Sequence, residues 1–128
     1  MPPLKTYIVE DSAVIREDLI GTLEELAPVQ VVGWAADEAS AMRWLREPAN
    51  EATLVIVDLF LRAGSGLGVL RASQALQRGL HLVVLSNFAT PEMRRQCLAL
   101  GAERVFDKSV DVDSLLGYCH ELAARQAA

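Results

Sequence analysis

Leu54-Val55-Ile56-Val57-Asp58 is the stretch that decides the fold: an unbroken apolar run that ends on a carboxylate. A strand that is apolar on both faces is buried on both sides, which is how the strands of a parallel sheet covered by helices read. Working outward, the same arrangement recurs. Tyr7-Ile8-Val9 leads into Glu10-Asp11, Leu82-Val83-Val84-Leu85 leads into Ser86, and Val105-Phe106-Asp107 leads into Lys108. If these runs are neighbouring parallel strands, their polar ends share one edge of the sheet, where open α/β sheets bind ligands.

Amphipathic segments fill the intervals. A first helix follows Asp11-Ser12, with Ile15, Leu19, Leu23 and Leu26 at helical spacing and Pro28 closing it. A second strand, Val29 to Trp34, precedes a helix from about Asp37 to Glu47, stopped by Pro48. The loop from Leu59 to Gly66 leads to a helix carrying Leu67, Leu70 and Leu76. Thr90-Pro91-Glu92 reads as an N-cap with proline in the first turn, and Gly101 as the glycine that ends that helix after Met93, Cys97 and Leu100. The last helix, from about Val112 to Ala124, has Leu115, Leu116, Cys119, Leu122 and Ala123 on one face. The pattern is (βα)5, an α/β fold in a single domain.

Composition removes several function classes. A chain of 128 residues with net charge −5 has no basic stripe with which to neutralise phosphates, so nucleic-acid binding is not expected. Arg94-Arg95, the one adjacent basic pair, reads as a solvated helix face. Cys97 and Cys119 fall at apolar helical positions and belong to no metal or redox motif. No apolar run approaches membrane-span length and no signal-peptide core follows Met1, so a cytoplasmic location is expected.

The strand ends carry the chemistry. Three carboxylates crowded together, Glu10, Asp11 and Asp58, repel one another, and a hard divalent cation with oxygen ligands relieves that repulsion. Beside such a cation, a phosphoryl group on Asp58 would be met by the Lys108 ammonium and the Ser86 hydroxyl. Asp58 is then the natural nucleophile, since a carboxylate can form an acyl phosphate.

Taken in order, V-E-D-S (9–12), V-D-L (57–59), L-S-N (85–87) and V-F-D-K-S (105–109), with G-S-G-L (64–67) in the loop after Asp58, resemble the receiver domain of two-component response regulators over essentially the whole chain. The resemblance implies a flavodoxin-like, doubly wound parallel sheet of five strands in the order 2-1-3-4-5, and one receiver domain over residues 1–128. It makes Asp58 the phosphoacceptor. Mg2+, with Mn2+ as a substitute, would be held by Asp11 directly, by Glu10 through water, by Asp58, and by the backbone carbonyl of Phe60. Ser86 would be the switch hydroxyl. Lys108 would pair with Asp58 before phosphorylation and with the phosphoryl oxygens after it. Phe106 matches an aromatic switch position that moves from exposed to buried.

A sensor histidine kinase or a histidine phosphotransfer protein would be the donor. Output would run through a downstream protein target on the face made by the fourth helix, last strand and last helix. The chain would be no enzyme with an external product, and it would be a monomer or a phosphorylation-linked dimer.

The chain departs from the family pattern at named positions. Ser109 stands where a proline in a cis peptide is usual, and Arg62 where proline is common. Asn87 replaces a small residue, narrowing the path to Asp58 or donating a hydrogen bond. Phe60 and Phe88 replace polar residues that position hydrolytic water, so slow autodephosphorylation is expected.

Each residue also has a plainer reading on its own. A lone strand-end aspartate is a helix cap or turn residue, Glu10 a solvated edge residue, Lys108 a surface charge and Phe106 strand core. Asp107 and Asp111 read as turn and capping residues, His81 and His120 as surface or strand-edge histidines, and Trp34 and Trp44 as covers of the sheet edge. Three other functions compete. A phosphorylation-independent interaction module would keep the fold alone. A haloacid-dehalogenase type phosphatase wants an acid where Phe60 stands. Flavin binding wants a Ser, Thr and Gly-rich loop where Glu10-Asp11-Ser12 stands.

Overall fold

The computed structural model describes residues 2–87 and 89–127. Strands and helices alternate: β1 (Leu4–Val9), α1 (Ala13–Leu26), β2 (Val29–Ala35), α2 (Glu38–Arg46), β3 (Leu54–Val57), α3 (Gly66–Ala75), β4 (His81–Ser86), α4 (Pro91–Ala99), β5 (Ala102–Asp107) and α5 (Val112–Ala127). All strand pairings are parallel, and the sheet order is β2-β1-β3-β4-β5.

Strand periodicity builds a core on each face. Ile8, Leu54, Ile56, Val83, Leu85 and Phe106 pack with Leu19 and Leu23 of α1 and Leu115, Cys119 and Leu122 of α5. Tyr7, Val9, Val55, Val57, Leu82 and Val84 point the other way, against Ala41, Met42, Val69, Leu70 and Cys97 from α2, α3 and α4. With α1 and α2 on opposite faces, the direction in which strands are added to the sheet switches at β1 and β3, which opens a crevice at their C-terminal ends.

Local chemistry sets the helix starts. Ser12, Asp37, Ser65 and Thr90 are extended N-caps whose side chains accept from Ile15, Ser40, Leu67 and Met93 N–H groups. Ala27, just before Pro28, is extended and ends α1. Gly101 has φ +100°, the left-handed conformation expected of the residue closing α4. Among the described residues no helix is long and apolar enough to cross a membrane.

The α1 stripe differs from its reading by one position. Arg16, Leu19 and Leu23 are buried, whereas Ile15 and Leu26 are exposed. The buried face thus begins on a charged residue, which periodicity of apolar residues cannot see. On α5, Tyr118 joins the buried face and Leu116 is only partly buried. The two tryptophans part company: Trp44 stacks on Tyr7 with centroids 4.2 Å apart, while Trp34 stays 52% exposed.

Candidate functional site

Register brings the strand ends together. Val9 pairs with Val57 and Val57 with Val84, while Ser86 pairs with Asp107 at the next seam. The residues that follow leave the sheet side by side: Asp58 N–H donates to the Val9 carbonyl at 2.9 Å and Glu10 N–H to the Ala35 carbonyl at 2.9 Å. Glu10, Asp11 and Asp58 each offer a carboxylate oxygen, and these oxygens lie within 4.8 Å of one another. Glu10 and Asp58 are buried and Asp11 is half-buried.

Asp58 is engaged on both oxygens. Oδ1 accepts from the Ser86 hydroxyl at 2.8 Å and from the Phe60 N–H at 3.2 Å, and Oδ2 accepts from Lys108 Nζ at 2.9 Å. Lys108 Nζ also donates to Glu10 Oε1, so one ammonium bridges two buried carboxylates. Reading the sequence paired Lys108 with Asp58 alone; the second partner appears only when β1 and β5 flank the same crevice.

Burial pushes the Glu10 carboxyl above its ordinary range and the Asp58 charge adds to the rise, against the pull of Lys108 and the Ser12 N–H. Burial also works against the Lys108 ammonium, but its bonds to Glu10 and Asp58 outweigh that and raise its pKa.

Both positions where the sequence lacks a proline use the N–H that proline would remove. Arg62 N–H donates to Asp11 Oδ2 at 2.9 Å. Ser109 N–H donates to Asp107 Oδ1 at 2.7 Å, and its hydroxyl bonds the same oxygen, holding the Asp107 carboxyl below its usual range. No cis peptide occurs among the described residues. Asp107 N–H in turn donates to Asp111 Oδ2 at 2.8 Å, so both aspartates serve the turn into α5 as expected.

The loop between β3 and α3 has a second tie that the sequence did not disclose. Glu38 Oε1 accepts from Ser65 N–H at 2.8 Å. A Cβ at Gly64 would stand 2.4 Å from the Glu38 Cβ, and one at Gly68 would stand 2.5 Å from the Glu38 Oε1. Gly64 in the loop and Gly68 in α3 make room for a carboxylate from α2.

Phe106 is 6% exposed and packs against Tyr118 at 6.1 Å. Tyr118 donates to Glu103 Oε1 at 2.6 Å, and His81 Nδ1 lies 2.5 Å from Glu103 Oε2. His81 is thus tied to the β4–β5 seam, while His120 is exposed with Nε2 3.0 Å from the Leu26 carbonyl. Arg95 is exposed beside Glu92, as a solvated face would be, but Arg94 donates to the Val105 carbonyl at 3.1 Å. Asn87 is half-buried beside Ser86, Phe60 is exposed, and Phe88 lies outside the described residues.

The profile of the response regulator receiver domain matches residues 6–120. A protein-glutamate methylesterase/protein-glutamine glutaminase of Anaeromyxobacter dehalogenans is 31% identical over 83% of this chain and 29% of its own length. The DNA-binding transcriptional activator DevR/DosR of Mycobacterium tuberculosis is 26% identical over 84% of this chain and 48% of its own. The chain therefore spans less than half the length of these relatives. Among solved structures, the response regulatory domain of mrkE from Klebsiella pneumoniae superposes with a TM-score of 0.83 at 16% identity, covering 95% of this chain and 97% of that one. The response regulator domain of Thermotoga maritima CheB gives 0.78 at 18% identity, over 96% and 95% of the two chains. At such identities the superpositions speak for the fold.

Proposed function

The chain belongs to the response regulator receiver domain family of two-component systems, and from that premise we propose that Asp58 accepts a phosphoryl group from a phosphohistidine of a sensor kinase or phosphotransfer protein. One observation carries the reading: Ser86 and Lys108 hold opposite oxygens of a buried Asp58 carboxylate, at the centre of three converging acidic groups.

The donor set fits a divalent cation. It is all oxygen, one member is buried with a raised pKa, and the positive charge balancing it comes from the Lys108 ammonium. Asp11 and Asp58 would hold Mg2+ directly, Glu10 through water, and the Phe60 carbonyl would complete the set; Mn2+ would substitute. The cation, when bound, supplies positive charge for the phosphoryl oxygens.

This chain's own groups do the rest. An Asp58 oxygen attacks phosphorus as the P–N bond to the donor imidazole breaks, and the imidazole keeps the bonding pair and takes a proton from solvent. Lys108 exchanges a carboxylate for a phosphoryl oxygen, and the Ser86 hydroxyl donates to another. The β4–α4 segment then settles around the new charge, and Phe106 reports it to the α4–β5–α5 face, where a protein target docks. The Phe60 side chain at the rim offers no polar atom to orient hydrolytic water, so the acyl phosphate is long-lived. The role is that of a phosphoryl acceptor in the cytoplasm rather than an enzyme with its own product.

One observation favours a second reading, a phosphorylation-independent interaction module. Ser86 donates to Asp58 and Phe106 is buried, contacts made within the chain itself and of the kind a fixed docking surface keeps. Incubation with Mg2+ and acetyl phosphate, followed by intact mass of the native protein, separates the two. A single phosphate adduct lost in Asp58→Asn supports the acceptor. No adduct despite Mg2+ binding supports the module, and an adduct that survives Asp58→Asn refutes the nucleophile.

A further inference from the structure

The acidic corner after β1 is anchored by a residue that the reaction does not use. Arg16 is 8% exposed, the one buried basic side chain among the described residues. Its Nη1 donates to the backbone carbonyl of Glu10 at 2.9 Å. Its guanidinium carbon lies 3.7 Å over the ring of Trp34. Trp34 sits on β2 in register with Ile8, and the next residue, Ala35, accepts the Glu10 N–H. Both backbone groups of Glu10 are therefore fixed, one by β2 and one by a side chain that β2 covers.

A cation buried so close to a site that must admit another cation needs a reason. Arg16 bonds a carbonyl rather than a carboxylate, so it orients the corner without itself occupying a carboxylate oxygen. Its planar guanidinium suits a flat stack on an indole face. The same contact accounts for an indole left 52% exposed on an edge strand, where it buries little area of its own.

We propose that Arg16, clamped by Trp34, is a positioning residue that aims Glu10 and Asp11 at Asp58 and thereby sets the divalent-cation affinity of the site. The inference rests on the acceptor reading above. A lysine at position 16 would keep the charge but lose the planar stack and the fixed fork. An alanine at position 34 would remove the clamp from the surface without opening a core cavity.

The test is Mg2+ binding by calorimetry on the whole chain, with urea unfolding in EDTA measured beside it. Trp34→Ala and Arg16→Lys should each weaken Mg2+ binding about three- to tenfold, while Trp34→Phe, which keeps an aromatic face, stays within about twofold of the parent. In a Trp44→Phe background, where Trp34 is the remaining tryptophan, its emission should shift on Mg2+ addition and lose that response in Arg16→Lys. Should Arg16→Lys fail to fold, Trp34→Ala decides the matter. Folded variants that bind Mg2+ as tightly as the parent would overturn the positioning role alone. A parent that binds no Mg2+ would overturn the acceptor reading and this inference with it.

Discussion

Lys108→Met removes the one ammonium that bridges Glu10 and Asp58, and its cost can be worked from the site. The three side chains are 14%, 3% and 7% exposed, so solvent cannot take over the lost charge. Two like charges within 4.8 Å of one another repel by about 3.5 kcal/mol or more at an effective dielectric near 20. The protein has a way to limit that cost: Glu10, whose pKa is already raised, can take up a proton. At pH 7, about 2.5 pH units above the ordinary value of 4.5, protonation costs about 3.4 kcal/mol at about 1.36 kcal/mol per unit.

The variant should therefore be about 3 kcal/mol less stable at pH 7. Its folded state would hold a proton that its unfolded state has released, so stability falls as pH rises above 4.5. The loss relative to the parent should shrink by up to about 1.4 kcal/mol for each pH unit lowered, and be small near pH 5. Mg2+ should reverse it, because the cation no longer competes with Lys108 for the same oxygens, and the variant should bind Mg2+ more tightly than the parent. Urea unfolding in EDTA at pH 5, 6 and 7, then in saturating Mg2+, measures all of this. A loss that is under about 0.5 kcal/mol at pH 7, or one that does not vary with pH, would refute the electrostatic reasoning.

Gly66→Ala would set a Cβ 2.2 Å from the Asp58 carbonyl oxygen and 2.7 Å from the Leu59 Cα, so the backbone just after β3 must move. It should cost about 3 kcal/mol or more in chemical denaturation, whereas Gly21→Ala, with open space around it, should gain up to about 1 kcal/mol from helix propensity. Glu103 is opposed by burial but held below its ordinary value of 4.5 by its bonds to Tyr118 and His81. Its contribution is complete above pH 4.5 and is lost as pH falls through the lowered folded value. Glu103→Gln should therefore flatten the acid limb of the stability curve, as read by circular dichroism against pH. Phe60→Glu should shorten the lifetime of the Asp58 adduct about tenfold or more by giving hydrolytic water a partner, checked by intact mass over time.

The order and type of the elements were legible in the chain because β3, β4 and β1 are apolar runs that only a buried parallel sheet satisfies. The helix starts at Ser12, Asp37 and Thr90 were equally legible, since capping is local chemistry. Less could be read on α1, where Arg16 takes a core position and shifts the buried face by one residue. Trp34 and Trp44 looked alike in sequence, yet one covers Tyr7 and the other covers a guanidinium.

The sequence by itself determined which groups reach the sheet edge, because strand-end position is a matter of counting along the chain. Glu10, Asp11, Asp58, Ser86 and Lys108 follow from that count. Only the tertiary structure decided what each group touches. Lys108 shared between Glu10 and Asp58, Arg62 N–H on Asp11, Glu38 on Ser65, and Arg16 between Trp34 and the Glu10 carbonyl all join residues distant along the chain or aimed by packing. Such pairings depend on register, helix rotation and side-chain direction, which are set by the whole core at once and leave no local mark.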